Sequence, residues 1–109
     1  MTETSTAAVG TDRPARYAKQ LVSHMSRKVE AAWDDAASVG RIVFGAAQLG
    51  LTAADEALLL DLTAEPNDLA TFEEVVGSHL VRFGTRDELV VQWRRGDGSE
   101  GTLQRKTED

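Results

Sequence analysis

The chain has no cysteine in its 109 residues. That excludes a disulfide framework, thiol catalysis and any zinc or iron–sulfur site held by thiolates. No apolar run approaches the ~20 residues needed to span a bilayer. The start, Met1-Thr2-Glu3-Thr4-Ser5, has neither the charged nor the apolar region of a secretion signal. A cytoplasmic protein without membrane contact is therefore expected. A glycine-rich phosphate loop between a strand and a helix is also missing, and Gly96-Asp97-Gly98 reads as a turn or tail. Histidine is scarce: His24 and His79 are the two in the chain.

Positive charge is scarce too, and it is segregated. The net charge is −6, yet residues 13–28 carry five bases (Arg13, Arg16, Lys19, Arg27, Lys28) and no acid. Residues 29–79 carry ten acids and one base, Arg41. A basic first helix on an acidic body offers an electrostatic docking contact through Arg13, Arg16 and Lys19, or else a solvated helix face. The pI of about 4.8 argues against nucleic acid, since counterion release needs a basic surface.

Residues 1–11 are small and polar with no periodicity, and are expected to form a disordered tail. Thr11 or Asp12 caps the helix that follows, with Pro14 in its first turn. Ala18, Leu21, Val22, Met25 and Val29 recur at three and four, and Tyr17, His24 and Lys28 border that stripe. A period of two then begins near residue 29. It predicts strands over 29–34, 40–45, 46–52 and 57–64, the last with Leu58, Leu60 and Leu62 on one face. Pro66-Asn67-Asp68 opens a second helix whose stripe is Leu69, Phe72, Val76, Leu80 and Phe83, ended by Gly84. The last strand is 88–93, and residues 96–109 are expected to be a second disordered tail. The expected fold is a single α+β domain over 12–95. It is a two-layer sandwich in which two helices cover one face of an antiparallel sheet of four to five strands, in the order α-β-β-β-β-α-β.

Candidate chemistry is thin. His79 lies within its apolar stripe, which fits either a structural histidine with one bonded ring nitrogen or a ligand or proton-transfer group. His24 lies on the border of the first helix. If both helices pack on one sheet face, the two imidazoles approach each other and offer donors for a metal or a haem iron. Ser23-His24 and Ser78-His79 are helix neighbours pointing about 100° apart, so neither is a nucleophile–base pair. No enzyme chemistry and no bound cofactor are expected. Trp33 and Trp93 fall on apolar strand faces.

Four stretches carry a family resemblance. They are Ala18-Lys19-Gln20-Leu21-Val22-Ser23-His24-Met25, Gly40-Arg41-Ile42-Val43-Phe44-Gly45, Val75-Val76-Gly77-Ser78-His79-Leu80-Val81-Arg82-Phe83-Gly84, and Leu89-Val90-Val91-Gln92-Trp93. Over residues 12–95 the chain resembles the bacterial family called domain of unknown function 2218. Such domains occur alone and at the front of siderophore-interacting flavin reductases, which release iron from ferric siderophores. The resemblance implies an accessory role in iron acquisition, with a reductase of that kind or a second copy of the chain as partner. The chain has no flavin or nicotinamide motif, so the reductase activity is not implied. Three expectations follow. One is a non-enzymatic docking module. The second is a small iron, haem or ferric-siderophore binding protein using His24 and His79 with Tyr17 and Arg82. The third is a structural domain whose partner is unrelated to iron.

Overall fold

Alternation sets the centre of the sheet. Leu58, Leu60 and Leu62 are buried while Leu59 between them is exposed. In the computed structural model, which describes residues 1–106, they belong to the strand Ala57–Ala64. Numbered in chain order, the strands are β1 (Glu3–Gly10), β2 (Glu30–Asp34), β3 (Val39–Phe44), β4 (Ala47–Ala54), β5 (Ala57–Ala64), β6 (Val90–Arg95) and β7 (Glu100–Arg105). The helices are α1 (Pro14–Met25) and α2 (Leu69–Phe83), the latter entered through a short 3-10 turn at Pro66–Asp68. β2 to β5 form the antiparallel meander that the period of two predicts. Its β4–β5 turn, at Asp55 and Glu56, puts Glu56 at φ 61, in the left-handed region.

The sheet has seven strands in the order β2-β3-β4-β5-β1-β6-β7, not four or five. Both stretches expected to be disordered tails contribute a strand. β1 pairs with β5 along its whole length, from Glu3 opposite Ala64 to Gly10 opposite Ala57. On its other side it pairs with β6 through Ser5 opposite Arg95 and Thr6 opposite Arg94. β7 then pairs with β6. Of the five expected strands, β2 to β5 are contiguous, and β6 is set apart from them because β1 stands between β5 and β6. The element order is β-α-β-β-β-β-α-β-β. Residues 107–109 of the expected second tail lie outside the described residues.

Polar inward positions hid these strands. Side chains of β1 alternate, with Ser5, Ala7 and Val9 buried and their neighbours exposed. On β7 the inward residue is Gln104, and the one large apolar residue, Leu103, is exposed. Neither strand shows the apolar alternation by which a half-buried strand is recognised. The α1 cap also differs. Arg13 occupies the N-cap position without a side-chain bond, and Thr11 Oγ1 instead accepts the Arg13 N–H at 3.0 Å. Trp93 is fully buried, whereas Trp33 is half-buried with its indole N–H donating to Asp35 at 3.0 Å.

Both helices lie on the face that buries Val9, Ile42, Leu49, Leu51, Leu60 and Val91. Under α2, the polar residues of β1 and β7 meet one buried carboxylate. Glu73 is 0% exposed. Its Oε2 accepts the Ser5 hydroxyl at 2.6 Å and Arg95 Nε at 3.3 Å. Its Oε1 accepts Arg95 Nη2 at 3.2 Å, and the Thr102 N–H and hydroxyl, each at 3.0 Å. Burial alone would raise this carboxyl. The Arg95 guanidinium, the Ser5 hydroxyl and the two Thr102 donors outweigh it and hold the pKa below the usual 4.5. Beside it, Gln104 Oε1 accepts the Trp93 indole N–H at 2.8 Å, and its amide nitrogen donates to Glu74 at 3.0 Å. Gly77 of α2 sits over Gln104, and a Cβ there would collide with the amide.

Removing the Glu73 carboxylate strands the donors of three strands. Glu73→Ala is expected to cost about 3–5 kcal/mol in urea unfolding, and Glu73→Gln less, because an amide oxygen still accepts. Because the folded pKa is depressed, the stabilisation is complete above the unfolded pKa, near 4.5, and is lost as pH falls through the lower folded value. Stability measured from pH 5 downward should therefore fall more steeply in the wild type than in Glu73→Gln.

Candidate functional site

Helices α1 and α2 meet along an antiparallel seam. Tyr17, Gln20 and His24 recur at three and four on α1, so they share one face. On α2, His79 and Phe83 are four apart and face the same seam. The His24 and His79 rings lie 4.8 Å apart, centre to centre, tilted by 47°. The Phe83 ring lies edge-on to His24 at 5.7 Å and 6.1 Å from His79. Two residues 55 apart in sequence are thus brought into contact, an arrangement that two helices on one sheet face allow.

His79 is half-buried with one ring nitrogen bonded, a state that fits the structural as well as the ligating reading, and His24 is exposed. His79 Nδ1 lies 2.6 Å from the Val75 carbonyl oxygen. A carbonyl only accepts, so Nδ1 carries the proton and, in the neutral ring, Nε2 keeps its lone pair. A backbone carbonyl on the far nitrogen is the usual orienting partner of a ligating imidazole. His24 titrates below the ordinary 6.5. Lost hydration where its ring packs comes first, then the positive fields of His79, Arg27, Lys28 and Arg82. Both effects favour the neutral ring, the form that binds metals.

At the other end of the seam, the Tyr17 hydroxyl donates to Asp87 at 2.5 Å. That hydrogen bond, then burial, then the Asp87 charge raise the Tyr17 pKa above 10.0. Asp87 is placed by the turn that ends α2. The Gly84 N–H donates to Leu80 O at 2.9 Å and the Asp87 N–H to Gly84 O at 3.0 Å. Tyr17 and Arg82, expected as helpers of the imidazoles, line one cleft with Arg13 and Arg16, expected as a docking contact. Lys19 does not join them. Its ammonium pairs with Asp35 beyond β2 at 2.9 Å, which, with the Trp33 indole, holds Asp35 below its usual range. Arg86 and Asp87 complete the cleft, and sequence reasoning passed over them. A turn of mixed charge just past a helix end was their one signal.

Among the described residues no three His, Cys, Asp or Glu side chains converge as a metal cluster, and no helix is long and apolar enough to cross a membrane. The seam therefore supplies two imidazoles with one free ring nitrogen assigned, an aromatic wall and a basic cleft. The Ser78 hydroxyl donates to its own helix at Glu74 O.

Comparison with known proteins bears on the same residues. The family described as "Uncharacterized protein conserved in bacteria (DUF2218)" matches residues 6–94, which include both histidines and the whole seam. The solved structure described as "NMR structure of PA4090 from Pseudomonas aeruginosa" is 30% identical, with a TM-score of 0.70, over 84% of this chain and 95% of that one. No curated protein matches the chain.

The imidazole contact sets a titration order. Following the ring protons by NMR, His24 should titrate below 6.5. In His79→Ala its pKa should rise but stay short of the free value, because the fields of Arg27, Lys28 and Arg82 remain. An unchanged His24 would mean the two rings do not interact.

Proposed function

The chain belongs to the bacterial DUF2218 family, and from that premise and its paired imidazoles we propose that it is a non-enzymatic binding protein for a metal-centred ligand. The observation that carries this reading is the 4.8 Å between the His24 and His79 rings. Two imidazoles sharing one ion through bonds of about 2.1 Å place their ring centres roughly 4.5–5.3 Å apart, from a right-angled to a tetrahedral arrangement. The observed spacing falls inside that range. Imidazole donors suit iron, zinc, copper and nickel.

Two protein ligands do not close a coordination sphere. The remaining donors must come from water, from a second copy of the chain, or from a ligand that brings its own. The last case agrees with the iron-siderophore setting that the family resemblance implies. In this reading the protein receives an iron-containing ligand in the cytoplasm, beside a siderophore-interacting flavin reductase that does the chemistry. The chain's own part is to orient His79 through Val75 O, keep His24 neutral and shield one side with Phe83.

The test is a titration of the purified protein with ferrous iron, and separately with a ferric siderophore, read by calorimetry and by the histidine ring signals. One of the two should bind saturably and move both rings. His79→Ala or His24→Ala should weaken that binding at least tenfold, an effect of about 1.4 kcal/mol, with the circular dichroism spectrum unchanged. Binding that survives both substitutions, or no saturable shift of either ring, overturns the reading.

A further inference from the structure

Between the first turn of α1 and the turn after α2 lies a cleft of about 510 Å³, lined by Arg13, Arg16, Tyr17, Arg82, Arg86 and Asp87 among others. Four arginines line it, all of them exposed, in a chain whose net charge is −6. The chain has acids enough to neutralise them, and the fold sends those acids elsewhere. Asp87, the acid in the lining, accepts the Tyr17 hydroxyl, and no ion pair joins it to an arginine among the described residues. Arg13 reaches only Asp12, at 3.8 Å and exposed. Arg16, Arg82 and Arg86 have no side-chain hydrogen bond or ion pair to any described residue. By contrast Lys19 and Arg95 each have a carboxylate within 3.2 Å.

Four like charges lining one cleft raise its positive potential, which an anion would relieve. The opening of α1 adds to the positive field. Its N-cap residue, Arg13, gives no side-chain bond, so the first-turn N–H groups of Ala15 and Arg16 point out of the helix without a capping oxygen. Guanidinium forks match the paired oxygens of phosphates and carboxylates. One monovalent ion would leave most of the four charges uncompensated. A cavity of this size takes a small molecule rather than a single ion.

We infer that this cleft is a binding site for a small oxyanion carrying two or more negative charges, gripped by Arg16, Arg82 and Arg86, with Arg13 at its rim. Neither imidazole lines the cleft, although Phe83 borders both places, and the inference does not depend on the metal reading. Its ligand is either a phosphorylated compound or a polycarboxylate.

The experiment uses pyrophosphate and citrate as probes at constant ionic strength, with chloride as the monovalent control, followed by NMR at the arginine Nε–H groups and the Tyr17 ring. One probe should bind saturably, with Kd below roughly 1 mM, and more weakly as salt rises. Tighter binding of pyrophosphate assigns a phosphorylated ligand, and tighter binding of citrate a polycarboxylate. Arg16→Ala, Arg82→Ala and Arg86→Ala are surface changes that should leave the fold intact. Each should weaken binding about tenfold, the scale of one charge-assisted hydrogen bond. The double variant His24→Ala/His79→Ala should bind as the wild type does. Three outcomes overturn the inference: no saturable binding of either probe, affinity unchanged in the arginine variants, or binding lost in the histidine double variant.

Discussion

One buried carboxylate joins the two ends of the chain. Glu73 comes from the middle of the sequence, Ser5 from its beginning, and Arg95 and Thr102 from near its end. The donors of all three converge on two oxygens. Withdrawing a carboxylate from water is costly, and a partial set of partners would leave it unfavourable. The network forms only when β1, β6 and β7 are all in place beneath α2. Ionic bonding of this kind adds less net stability than an apolar core of equal volume, but it is intolerant of misplacement. It fixes which strands stand under α2 and in what register.

That constraint reaches the seam through α2 itself. The first half of the helix is held by Glu73 and its middle by Gly77 against Gln104. The end of the helix, with His79, Arg82 and Phe83, is then presented to α1 from a packed helix rather than from a loop. α1 is seated independently over β2 to β5 by Leu21 and Val22. The seam is where two separately anchored helices meet. His24 and the arginines there stay exposed, while Tyr17 is buried and bonded to Asp87 and His79 is half-buried.

Much of the architecture was legible in the chain. Leucine alternation marked β5, and the β-rich runs marked β2, β3 and β4. Three-and-four spacing with Pro14, Pro66 and Gly84 marked the helices. Two amphipathic stripes sharing one sheet face allowed His24 to approach His79, and the packing of the helices brought the rings together. The basic residues were legible only as a run along the chain. Arg13 and Arg16 join Arg82 and Arg86, while Lys19 is claimed by Asp35. Their partition depends on which way each side chain leaves α1 and on what the β2–β3 turn brings near.

Local pattern by itself determined the helices, the meander and the residue types available for binding. Each is an effect of side-chain period and of proline or glycine at an element's end, which act within a few residues. Only the tertiary structure decided that residues 3–10 form the strand between β5 and β6, and that residues 100–105 form the edge strand beside β6. The inward residues Ser5, Thr102 and Gln104 read as surface polarity in a sequence. They belong inside because Glu73 and Trp93 wait there as partners, and a hydrogen bond between residues far apart in the chain leaves no periodic trace.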